Sequence, residues 1–125
     1  MLNFREFPAG PDPFGRSYQV LLKWMQTAIS IRHSDTVDVR FVLVGPEARE
    51  EKTIALPHAD LLKLSRQTGH ELTDAWCSRL AAAHLLHLVE TGEDLEKELV
   101  IVSFPQLQEH ATKLAAAEKA AIGAG

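Results

Sequence analysis

The chain reads as an α+β domain: a small antiparallel β-meander packed on an αα-hairpin with a buried central helix, plus a short fourth strand and a C-terminal helix. Three observations predict this. Residues 37–44 alternate apolar and polar in the manner of a half-buried strand. Residues 73–91 make an apolar helix with both ends marked, and Gly69 separates that helix from a shorter amphipathic one just before it.

Length and composition set the frame. The 125 residues fit one domain with a core of its own. Apolar content of 46% and charged content of 24% are ordinary for a globular protein. The net charge of −4 argues against a general binder of nucleic acid or anionic membranes. A single cysteine, Cys77, excludes a disulfide framework and fits a reducing, cytoplasmic setting. The stretch MLNFREFPAG lacks the apolar core of a secretory signal, and no run reaches the ~20 apolar residues of a membrane span.

Taken in order, residues 1–16 are rich in turn formers (Pro8, Gly10, Pro11, Pro13, Gly15), which predicts an irregular arm ahead of a single domain over 17–125. Phe4, Phe7 and Phe14 are spaced along that arm, to pin it to its own core or to dock on a partner subunit. Residues 17–32 carry two patterns at once. Tyr18, Leu21, Leu22, Met25 and Ile29 fit a helical stripe, whereas Tyr18, Val20, Leu22 and Trp24 fit strand alternation. One straight strand of that length would run roughly 50 Å, too long for a domain of this size. Two strand segments bent near Gln26–Thr27 are therefore expected.

In the next segment Val37, Val39, Phe41 and Leu43 alternate with Asp38, Arg40 and Val42, and Gly45–Pro46 stops the strand. Glu47 to Lys52 reads as a solvated hairpin loop leading into Thr53–Leu56, giving three antiparallel strands with one wet and one dry face. Pro57 opens a helix at a first-turn position, and Gly69 closes it. Thr73 is placed to cap the central helix, with Asp74 against its positive end and Gly92 at its close. At about 100° per residue, Trp76, Leu80 and Leu86 fall on one side, and Leu85, Leu88 and Val89 on the other. A helix apolar nearly all round is buried, with neighbours on both sides. Leu99–Val102 makes the short fourth strand, and Ser103 with Gln106 has capping-box spacing for a last, Ala-rich helix.

Four constellations could carry chemistry. His84, His87 and Glu90 recur every third residue on the central helix, so they share a side and could hold a transition metal if a second element added ligands. His58 and His70 are the further donors the sequence offers. His33, Ser34 and Asp35 bring base, nucleophile and orienter types into one turn, but adjacent residues point apart and triads assemble from separated positions. Cys77 in the first helical turn could be activated by the dipole, although a buried thiol is inert. Residues 64–80 have the spacing of a helix-turn-helix, with Lys63, Arg66 and Arg79 as its nucleic-acid contacts. Glu71 and Asp74 would repel phosphate there, and an all-apolar second helix belongs inside. No stretch calls for a cofactor: Gly10 to Gly15 holds two prolines where a phosphate cradle needs N–H donors. The expectation is a non-catalytic interaction or scaffolding domain that binds a protein partner or itself. A nucleic-acid module and a metal-dependent or hydrolytic enzyme are the alternatives.

Overall fold

The computed structural model describes residues 5–28, 35–46 and 48–124. Among these residues five strands, β1 (Glu6–Ala9), β2 (Tyr18–Ala28), β3 (Thr36–Val44), β4 (Arg49–Pro57) and β5 (Leu99–Ile101), form one sheet in sequential order. Among the described residues three helices accompany it: α1 (His58–Thr68), α2 (Asp74–Thr91) and α3 (Phe104–Ala124). Strands β1 to β4 are an antiparallel meander, and β5 adds to β4 in parallel after the α1–α2 hairpin has crossed one face. The fold is α+β, with the sheet packed on the hairpin and α3 behind it.

The central helix forms as its ends predict. The Trp76 amide donates to the Thr73 hydroxyl at 3.1 Å, and Gly92 closes the helix in the left-handed region with φ 76°. It lies against β1, β3 and β4 on one side and α3 on the other. That is why Trp76, Leu80, Leu85, Leu88 and Val89 are all buried although they point in different directions. Phe7, Val20, Val39, Phe41, Leu43, Ile54, Leu56 and Val100 supply the inner face of the sheet to the same core. Ser103 caps α3 in the reciprocal arrangement its spacing predicts: its amide donates to Gln106 Oε1 at 3.1 Å, and the Gln106 amide reaches Ser103 Oγ at 3.4 Å.

Several expectations need correction. The segment 1–16 is not irregular throughout, because residues 6–9 are strand β1, paired with β2 from Glu6↔Leu21 to Ala9↔Tyr18. Pro8 is tolerated because β1 is an edge strand, where an amide facing away from the sheet has no ladder bond to lose. Phe7 buries against Phe41 with centroids 6.0 Å apart, whereas Phe14 is 78% exposed and pins nothing. Asp12 organises the rest of the arm. Its buried carboxylate accepts from the Phe14 and Arg16 amides, the Arg16 guanidinium and the Tyr18 hydroxyl.

Strand β2 is irregular not at Gln26–Thr27 but between Leu22 and Trp24, where the register against β3 slips by one residue. The bulge exchanges the faces: even positions Val20 and Leu22 point inward before it, and odd position Met25 after it. Spacings of three and four along one strand then imitate a helix, which explains the double pattern. The second expected segment, from Ile29, lies outside the described residues up to Ser34. The charged stretch 49–52 is strand β4 rather than loop: it pairs with β3 from Val44↔Arg49 to Phe41↔Lys52, Glu51 meets Lys23 and Arg40 on the outer face, and Lys52 finds carbonyls beneath it. The Lys52 ammonium donates to the carbonyls of Leu95 and, at 2.7 Å, Lys97. Pro57 ends β4 as the residue capping α1, one place earlier than expected.

Candidate functional site: the bare face of the sheet

The helices cover one face of the sheet, and strand alternation assigns the other face residue by residue. Pairing places Leu21 beside Val42, Trp24 beside Arg40, Arg40 beside Thr53, and Thr53 beside Leu99, with Ile101 next to Ala55. None of these belongs to the buried core cluster under the helices. Large apolar side chains stand open at two ends of this face: Leu21 (37% exposed) and Val44 (39%) at one, Leu99 (55%) and Ile101 (65%) at the other.

Between the ends runs a chain of ion pairs. Lys23, carried outward by the bulge, donates to Glu51 at 2.8 Å, and Arg40 Nε donates to the same carboxylate oxygen at 2.9 Å. Arg40 also reaches Thr53 Oγ1 at 2.8 Å and Glu98 at 2.8 Å. The hydrogen bonds from Lys23 and Arg40 hold the Glu51 carboxyl down at about 2. Glu51 and Glu98 in turn raise the Arg40 guanidinium further above its ordinary value. Lys23, Arg40, Glu51 and Glu98 are thereby matched among themselves, two cations against two carboxylates.

The sequence-derived candidates lie elsewhere. His84 is buried between α2 and α3, and its Nδ1 faces His110 Nε2 at 2.9 Å. His110, on α3, is the second-element partner that spacing along α2 alone does not reveal. His87 turns to Glu93 instead, with Nε2 2.9 Å from the carboxylate, while Glu90 is exposed. One nitrogen of each ring is engaged in this way, and among the described residues no three His, Cys, Asp or Glu side chains are grouped to hold an ion. Burial pushes His84 down to about 4 and lowers His110 as well, with neighbouring imidazoles adding to both shifts.

Of the three basic candidates, two are engaged on the helical side and the third is exposed. Lys63 lies 4.5 Å over the Phe104 ring, Arg79 pairs with Glu118 at 3.0 Å, and Arg66 is exposed in the last turn of α1. His33 and Ser34 lie outside the described residues, and the Asp35 carbonyl accepts from the His58 amide at 2.9 Å. His70 stacks on Trp76 with centroids 4.7 Å apart, lining a cleft of about 260 Å³ with Leu114 and Glu118. Cys77 is buried, and burial pushes its thiol up to about 11, far from a reactive thiolate.

A bulged meander with an αα-hairpin on one face and an ion-paired, apolar-ended second face defines a small α+β domain with an open sheet. Compared with protein-family models, curated proteins and solved structures, the chain matches none of them.

The sequence carried a signal for this face that alternation alone hides. Val42 and Val44 occupy polar positions in the β3 pattern, and Leu99 and Ile101 flank Val100 with apolar residues on both sides. Each is an apolar residue on the side meant to be wet.

Proposed function

We propose that the chain is a non-catalytic protein-interaction module that works through the bare face of its sheet. The observation that supports this is the set of four open apolar side chains, Leu21, Val44, Leu99 and Ile101, on the face opposite the core. An isolated exposed leucine is ordinary, but apolar groups gathered on one flat face around a self-matched charge network make a surface that can be covered without stranding a charge. The reading includes a cytoplasmic address, supported by an unpaired, buried thiol at Cys77.

A photo-crosslinking residue placed at position 101 tests the reading in the source cell. It should give discrete protein adducts, while the same probe at Lys119, on the exposed part of α3, gives none. Equal, diffuse labelling at the two positions would overturn the assignment of this face.

A further inference from the structure

Resting on the reading of this face as a docking surface, we infer that its occupant is a second copy of the chain. The two copies meet sheet to sheet about a two-fold axis beside the Arg40–Glu51 ion pair. Leu21 and Val44 of each copy then lie on Leu99 and Ile101 of the other.

Charge is the first support. The chain carries −4 overall, so two copies repel over most of their surfaces. On the bare face Lys23, Arg40 and Arg49 stand against Glu6, Asp38 and Glu51, and only Glu98 at the β5 rim is added to the negative side. This near-neutral face lets like molecules approach without the penalty carried by the remainder.

Layout is the second. A two-fold interface is self-complementary: if one patch touches another, the reverse contact occurs as well. The Leu21–Val44 end and the Leu99–Ile101 end lie on opposite sides of the ion-pair chain, which runs through β3 and β4 in the middle of the sheet. Rotation about that middle exchanges the ends and returns the charge network onto itself. Both open ends are covered in one operation.

Size is the third. Strands β1 to β5 hold 4, 11, 9, 9 and 3 residues, and at ~3.3 Å per residue and ~4.8 Å between strands they present on the order of 570 Å² per copy. Two such faces total on the order of 1,100 Å², above the ~1,000 Å² that a specific interface should clear. Edge pairing offers far less, because β5 has 3 residues and β1 carries Pro8.

A charge-exchange experiment on the full chain tests this by analytical ultracentrifugation. Wild type should sediment as a dimer. Leu21→Glu and Ile101→Lys should each weaken association at least tenfold, since either change recurs at both contacts; an unchanged far-ultraviolet circular dichroism spectrum would show that each still folds. Mixing the two variants should restore a dimer, because one heterodimer pairs the new charges at one end and keeps the native apolar contact at the other. A monomeric wild type, or a dimer that neither variant weakens, would overturn the inference. So would single variants that dissociate without recovering on mixing. Crosslinks from position 101 to a different protein would do the same while leaving the docking role of the face intact, whereas loss of all adducts there removes both.

Discussion

Two imidazoles facing each other at 2.9 Å form one hydrogen bond, in which one ring nitrogen donates and the other accepts. If both rings are doubly protonated, donor meets donor and two positive charges share a dry seam. His87, Glu93 and Asp94 face this pair from α2 and the turn after it, and Glu109 and Lys113 from α3. The acids are exposed or half-buried and too few to offset burial, so the native state keeps His84 neutral, down to about 4 against an ordinary 6.5. The depressed value fixes the sign: the native state binds fewer protons than the unfolded chain between those limits. The stability contributed by neutral His84 is whole above about pH 7 and lost progressively as pH falls toward 4, on the order of 3 kcal/mol in total. Urea unfolding at stepped pH should show this slope, and His84→Gln, which hydrogen-bonds without titrating, should flatten it. A wild-type midpoint constant from pH 7 to pH 5 would remove the histidine seam as an acid-sensitive element.

At the scale of elements, the two left-handed glycines that close α1 and α2 make a matched comparison. Gly69 has φ 70° with no atom within 4 Å of where a Cβ would stand, whereas at Gly92, with φ 76°, that Cβ would meet Pro13 Cγ at 2.9 Å. Gly69→Ala should cost about 1 kcal/mol from backbone conformation alone. Gly92→Ala adds the clash and should cost about 2–3 kcal/mol, with Pro13→Ala relieving the excess in a double-mutant cycle. Equal costs in urea titrations would deny that the N-terminal arm packs on the α2 C-cap. These element ends were legible in the sequence because caps are local: Thr73, Gly92 and the Ser103–Gln106 box are fixed by three or four neighbouring residues. The β2 bulge was not, because Lys23 leaves the ladder to meet Glu51, which lies 28 positions away. Strand β1 was hidden by Pro8, whose cost disappears only at a sheet edge. The candidate site was half legible. Alternation puts Arg40 on the wet face, but its partners Glu51 and Glu98 read as loop until β4 and β5 are paired. His84 was visible as one side of a helix, and His110 became its partner only through the packing of α3.

Over the whole molecule, burial and charge are divided between the two faces of one sheet. The helix-covered face holds the core, and the bare face holds apolar ends and matched charges, so the excess of −4 falls mostly on the helices and loops around them. For two copies meeting on their bare faces, the ion pairs stay within each copy and the repelling charge surrounds the contact at a distance. Salt then acts on the repulsion more than on the attraction. At 0.01 M ionic strength the screening length of roughly 30 Å spans the molecule, and at 0.1 M it shortens to about 10 Å. Raising salt between these values should therefore strengthen association, by roughly a few-fold in Kd, as the apolar contacts remain and the net-charge repulsion fades. A dimer held instead by ion pairs between copies, such as Arg40 of one reaching Glu51 of the other, would weaken over the same range. Sedimentation across a salt series separates the two arrangements by the sign of the change, and weakening would mean that the charge network exchanges partners on association rather than staying closed.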